Sequence, residues 1–334
     1  MNKVIDNYTS TGVKFWKHEN QMMNYKNSND NTIISTHISP TGSCNLNCSY
    51  CSVKKRKCQN TIELEVIKDY IEKLITRGLK AVIITGGGEP TLYKQFNELV
   101  EWIKSKELKV ALITNGTLTD RVENWKAFSW IRVSINKFEG WKYKIKLPIN
   151  EIDEQTIIGC SYINTGNLEN DIYDIKNLVD KLNAKYVRVL PNCLLSQEQL
   201  LVEHKKIDDI FEKYNVQDIF FHQFKIHENP LTTICHQSYF RPYLSEVDGG
   251  TVYPCDSVVL NDCVEMFHDK YKICKASNVL DYLDGKIMPK FMPCNDCSGC
   301  VFANNIKMLD DWKNDRINLI EQFKDLQFKH EEFV

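Results

Sequence analysis

No apolar run in these 334 residues is long enough to cross a bilayer. The opening residues, Met1-Asn2-Lys3-Val4-Ile5-Asp6-Asn7, lack the apolar core of a signal peptide, so a cytoplasmic chain is expected. An excess of either charge is missing too: 42 Lys and Arg stand against 44 Asp and Glu, a net charge of −2. Nucleic-acid backbones are held mainly by neutralising cations, so general nucleic-acid binding is not expected. No internal repeat is visible. Cysteine, by contrast, is plentiful, with 13 in the chain. In a reducing cytoplasm that number points to metal ligation rather than to a disulfide framework. The 43% hydrophobic content is ample for one large domain and a small appendage.

The most informative segment is Cys44-Asn45-Leu46-Asn47-Cys48-Ser49-Tyr50-Cys51. Its C-x3-C-x2-C spacing places three thiolates in one compact loop, enough for three irons of a 4Fe-4S cluster. Electron-transfer clusters are normally closed by four cysteines, so three leave one iron open for chemistry. A structural zinc knuckle is the alternative, yet zinc sites favour two C-x2-C pairs or a Cys/His set, and only Cys58 follows closely, across a basic run. The β-branched run from Thr32 to Ile38 predicts a buried strand before this loop, ended by Pro40 and Gly42. Leu64, Ile67, Ile71 and Leu74 then keep a helical period within Thr61 to Gly78.

A second apolar strand, Ala81 to Thr85, runs into Gly86-Gly87-Gly88-Glu89-Pro90-Thr91. Glycines at a strand's carboxyl end admit close approach to the backbone, and Glu89 offers a carboxylate to a cationic amine. No Lys-Ser/Thr follows, which argues against a phosphate-binding P-loop. A third strand, Lys109 to Thr114, leads into Thr114-Asn115-Gly116-Thr117. Together these three segments resemble the radical S-adenosylmethionine (SAM) enzymes, over roughly residues 30 to 195. The resemblance implies a 4Fe-4S cluster on Cys44, Cys48 and Cys51 whose open iron binds SAM and releases from it a 5′-deoxyadenosyl radical. It also implies that Tyr50 packs near the adenine, that Gly87, Gly88 and Glu89 receive the methionine amine, and that Ser134 and Asn136 touch the ribose or carboxylate. A polar strand end at Ser134 and Asn136 has ordinary structural causes as well.

The expected fold is α/β, a partial (β/α)6 barrel of the radical SAM type with a small cysteine-rich α+β extension at its carboxyl-terminal side. The remaining strands are expected at Trp130 to Asn136, Thr156 to Ile163 and Tyr186 to Leu190. Helices are expected at Thr119 to Phe128, around Ile172, Ile175, Val179 and Leu182, and from Gln197 to Lys213. In parallel barrels the site lies at the carboxyl ends of strands, and all three segments fall there. The organisation reads as 1–31, an extension packed on the barrel through Phe15, Trp16 and Met22-Met23; 32–230, the barrel; 231–302, the cysteine-rich unit; and 303–334, a closing helix. That helix is expected to bury Met308, Trp312, Ile317, Ile320 and Phe323.

Seven of the 13 cysteines lie from Cys235 onward. Leu244 to Glu246 and Thr251 to Tyr253 flank Asp248-Gly249-Gly250 as a β-hairpin. Cys235, Gly250 and Cys255, followed by Cys294, Cys297 and Cys300, resemble the SPASM and twitch extensions that hold auxiliary 4Fe-4S clusters. A twitch-like single cluster on Cys235, Cys255 and two of Cys294, Cys297 and Cys300 is expected. Cys263 and Cys274 leave room for a second, and zinc is the alternative for the whole set. Cys193, after the sixth strand, reads equally as a hydrogen donor to a substrate radical, an iron ligand or an inert thiol, whereas Cys160 reads as core. The basic run Ser52 to Lys57 suits an acidic partner or plain solvent.

The expectation is an oxidoreductase or modifying enzyme acting on an unactivated C–H bond, with a low-potential donor of the flavodoxin or ferredoxin type supplying electrons. A peptide or protein substrate leads, on the habits of the family. A sugar, nucleoside or nucleic-acid base comes next. A zinc-stabilised binding protein without catalysis is the competing class.

Overall fold

Seven short strands lie in sequence order as a parallel sheet: β1 Ser35–Ile38, β2 Ala81–Ile84, β3 Lys109–Thr114, β4 Phe128–Ser134, β5 Ile157–Asn164, β6 Tyr186–Pro191 and β7 Phe220–His222. This computed structural model describes residues 8, 11–27, 32–53, 60–136, 144–192, 194–223, 229–260, 269–297 and 300–334. Strands of such a sheet are covered on both faces. Val82, Ile84, Val110, Leu112, Ile131 and Val133 pack outward, in one core with the buried residues of the Leu64–Ile75, Phe96–Ser105 and Leu168–Leu182 helices. Ala81, Ile83, Ala111 and Trp130 alternate with them and face inward, around Phe333.

The sheet does not stop at six strands. β7 is only three residues long, too short for a period to register in the sequence, and it follows the Gln197–Tyr214 helix after Asn215 turns the chain at φ 48°. On the other edge, β8 Tyr243–Ser245 pairs parallel with β1, then β9 Thr251–Tyr253 and β10 Cys274–Lys275 add antiparallel. The expected hairpin is therefore an extension of the barrel sheet, which among the described residues has ten strands and remains open. Its turn needs left-handed backbone at Asp248, Gly249 and Gly250, with φ 51°, 72° and 126°.

Two expected helices are corrected. Thr119 to Phe128 forms two single 3-10 turns, Thr119–Arg121 and Trp125–Ala127, because Asn124 between them is non-helical and Phe128 already opens β4. The closing helix is two pieces, Ala303–Lys313 and Ile320–Phe323, separated where Asp315 takes φ 58°. Phe15, Trp16 and Met22 are buried, but their partners include Ile34, Phe240, Leu309, Trp312, Ile320 and Phe323. The two ends of the chain thus share one small core, with Trp16 edge-on to Trp312 at 5.4 Å. Met23 is exposed, and Met308 and Ile317 are only partly buried. No helix among the described residues is long and apolar enough to cross a membrane.

Candidate active site and thiol cavity

The three expected segments meet on the carboxyl-terminal rim. The cysteine loop leaves β1 and is laid directly on the turn after β2: Gly88 N–H donates to the Thr41 carbonyl at 3.2 Å and Glu89 N–H to the Ser43 carbonyl at 2.8 Å. A side chain at Gly88 is impossible without movement, since its Cβ would stand 2.1 Å from the Ser43 carbonyl oxygen. This glycine serves backbone-to-backbone apposition. The same loop is tied to the turn after β3, where Asn45 Nδ2 donates to Thr117 Oγ1 at 2.8 Å and Asn115 Nδ2 donates to Asn45 Oδ1 at 2.9 Å.

Glu89 is the node of the rim, 2% exposed. Its Oε1 accepts from Thr91 N–H at 3.2 Å, Thr91 Oγ1 at 2.8 Å and Thr114 Oγ1 at 2.6 Å, while Oε2 accepts from Asn115 N–H at 2.7 Å. A carboxylate has about four lone-pair directions, two on each oxygen, so Oε2 keeps one for an incoming cation. Burial pushes the Glu89 carboxyl up from its ordinary value, and these donors pull against it.

Cys44, Cys48 and Cys51 turn together, with Cys51 N–H donating to the Cys48 carbonyl at 3.2 Å. Burial of its sulfur raises the Cys44 thiol; Glu89 and the other two thiols add to that, and the Leu46 N–H at 3.5 Å from Sγ opposes it. Tyr50 is raised as well, by burial first and then by its hydrogen bond to Cys48. A bound metal centre deprotonates its cysteine ligands outright. The donor set, three cysteines on one short turn, fits a cluster on these residues.

Ser134 and Asn136 part company. Asn136 is buried and zips β4 to β5, donating Nδ2–H to the Ile163 carbonyl at 2.7 Å and accepting Ile163 N–H on Oδ1 at 2.9 Å. Its amide is consumed by the sheet. Ser134 ends β4 half-buried, in register with Ser161, whose Oγ accepts from Arg188 Nη2 at 3.3 Å. Arg188 was not singled out from the sequence; its signal was a charge inside the apolar strand Tyr186-Val187-Arg188-Val189-Leu190. Cys193 lies outside the described residues, as do Cys58 and Cys263. Cys160 is fully buried in β5, and burial lifts its thiol to about 12.

A second thiol group surrounds a cavity of about 130 Å³ lined by Cys235, Cys255, Cys297 and Cys300. Cys235 precedes the 3-10 turn His236–Tyr239, Cys255 follows β9, and the other two flank the end of the short Pro293–Asp296 helix and the start of Ala303–Lys313. Cys294 does not line it; its N–H is spent on the Thr232 carbonyl at 3.0 Å. Burial and then the neighbouring thiols raise Cys235. Cys255 rises through burial, then Asp256 and the thiols. Burial lifts Cys297 to about 11 and Cys300 to about 12. Among the described residues, no three His, Cys, Asp or Glu side chains are placed to hold a single metal ion. Cluster thiolates each bind a different iron and so stand farther apart than the ligands of one ion.

Residues 38–154 match the radical SAM superfamily, a span that begins on the last residue of β1 and takes in all three rim turns. Those residues carry a radical SAM domain, and enzymes of that superfamily work with a 4Fe-4S cluster and SAM. It is 30% identical to a UPF0026 protein of Helicobacter pylori (strain J99), over 42% of this chain and 51% of that protein. It is 25% identical to an S-adenosylmethionine-dependent nucleotide dehydratase of Flammeovirga pacifica, over 58% of this chain and 76% of the relative. The chain spans about half the length of the first curated relatives it matches. Among solved structures, native anSMEcpe with bound AdoMet and Kp18Cys peptide shares the fold with a TM-score of 0.53, at 16% identity over 87% of this chain and 99% of that one.

Proposed function

We propose that Cys44, Cys48 and Cys51 hold a 4Fe-4S cluster whose open iron takes SAM, with Glu89 receiving the methionine amine, Tyr50 beside the adenine and Ser134 toward the ribose or carboxylate. When bound, that cluster supplies the electron that cleaves the sulfonium and yields a hydrogen-abstracting radical. The protein's own part is placement. Glu89 holds its carboxylate against four internal donors, with Oε2 accepting only one of them, while Gly88 lets the cysteine loop close on the same turn. That apposition is the observation that carries the reading.

The finer reading is a C–H modification of a peptide or protein, aided by an auxiliary 4Fe-4S cluster on Cys235, Cys255, Cys297 and Cys300. Four thiols on four irons leave none open, so this cluster passes electrons and does not bind substrate. A low-potential flavodoxin- or ferredoxin-type donor would feed the first cluster. An anionic nucleotide is the second reading, favoured by Arg188 half-buried beside Ser161 near the rim.

Anaerobic reconstitution tests the proposal. About eight irons per chain with dithionite-dependent release of 5′-deoxyadenosine is expected, four from each cluster; zinc without iron would reject it. Transfer of deuterium from a labelled peptide or nucleotide into 5′-deoxyadenosine decides between the substrates.

A further inference from the structure

Inside the barrel, bounded on one side by Tyr8, Lys14, His330 and Phe333, is a second cavity, of about 40 Å³. Its polar lining is Lys14, His37, Arg132, Tyr186 and His330. Arg132 is 8% exposed, on the inward face of β4, and a guanidinium stays charged in any protein environment. Its recorded hydrogen bonds go to neutral oxygens: Nε–H to Tyr186 Oη at 3.2 Å and Nη2–H to the Tyr8 carbonyl at 3.4 Å. Among the described residues no carboxylate pairs with it or lines the cavity. Asp256, whose charge reaches His37, is paired with Arg241 at 3.3 Å.

The imidazoles add to the imbalance. His37 is 7% exposed, and Nε2 of both His37 and His330 is buried with no partner. Water would satisfy an N–H, but it does not neutralise a buried cation, whose isolation costs several kcal/mol. The surroundings keep the space open. A Cβ at Gly159 would stand 2.0 Å from the Tyr186 ring, so the glycine lets Tyr186 cross the interior, where it stacks on Tyr8 at 4.8 Å.

We propose that this cavity is an oxyanion site, taking a phosphate, sulfate or carboxylate group on Arg132, with His37 and His330 donating Nε2–H and Lys14 contributing positive charge. The occupant is either a free ion, locking Tyr8 and His330 against the strands, or the anionic group of a molecule reaching down the concave face from the rim.

Calorimetric titration of the reconstituted full-length chain, at constant ionic strength with chloride as background, tests this with inorganic phosphate, sulfate and a nucleoside monophosphate. One saturable site per chain is expected, weakened about tenfold or more in Arg132→Gln, the loss of one charge-assisted contact. Saturation by the inorganic ions identifies a free ion, and saturation by the nucleotide alone identifies a larger molecule's anionic group; either supports the site. If Arg132→Gln does not fold, His37→Gln carries the comparison and should also weaken binding. No saturable binding of any of the three ions, or affinity unchanged in every variant that folds, overturns the proposal. The heat signal requires no turnover, so this failure would leave the radical chemistry untouched.

Discussion

Gly88 shows how little freedom the rim allows. An alanine there would drive its methyl into the Ser43 carbonyl, a backbone atom that moves only with the whole cysteine loop. Overpacking of this kind costs about 1–3 kcal/mol. Gly88→Ala should therefore keep the fold but lose much of the iron held by Cys44, Cys48 and Cys51, which iron analysis of the reconstituted variant measures. Full iron occupancy in that variant would contradict the close apposition. Glu89 illustrates a different economy: Thr91, Thr114 and Asn115 orient it from two turns, so its reactivity depends on residues that are themselves ordinary strand-end polars.

Among the elements, the hairpin of β8 and β9 has the widest consequence. By pairing β8 with β1 it bonds the cysteine-rich unit to the same strand that launches the first cysteine loop. The short Pro293–Asp296 helix then decides which thiols face the cavity, turning Cys297 inward while Cys294 stays off the lining. Cys297→Ser and Cys300→Ser should each lower the iron content by up to about four per chain, and Cys294→Ser should leave it unchanged. Iron counts with the opposite pattern would reassign the ligands.

For the molecule as a whole, acidity is the condition that should tell most. Burial depresses His18 and His204 to about 4 each, against an ordinary value of 6.5. Between those limits the unfolded chain binds protons that the folded chain refuses, so stability rises with pH across the window and is lost as pH falls from 6.5 toward 4. Urea midpoints at pH 7.5 and pH 5 should show the drop, and His18→Gln should flatten it relative to the parent. His18 also joins the chain's ends, its Nε2 lying 2.9 Å from the Glu331 carbonyl oxygen, so the variant reports on that seam.

Much of this was readable in one dimension. Cysteine spacing, glycine turns and runs such as Ala81 to Thr85 are local, and local chemistry dictates strand, turn and ligand type without reference to distant neighbours. Asn136 and Cys294 were not readable in that way, because whether an amide meets a ribose or a strand, and whether a thiol meets a cavity or a loop, depends on groups brought near only by folding. β7 escaped for want of length, and Arg132 and His37 because their significance lies in the carboxylate that no described neighbour provides. Covalent order specifies which donors exist; packing specifies which of them remain unspent, since most buried polar groups are paired within the fold and only a few, such as His37 Nε2, are left over.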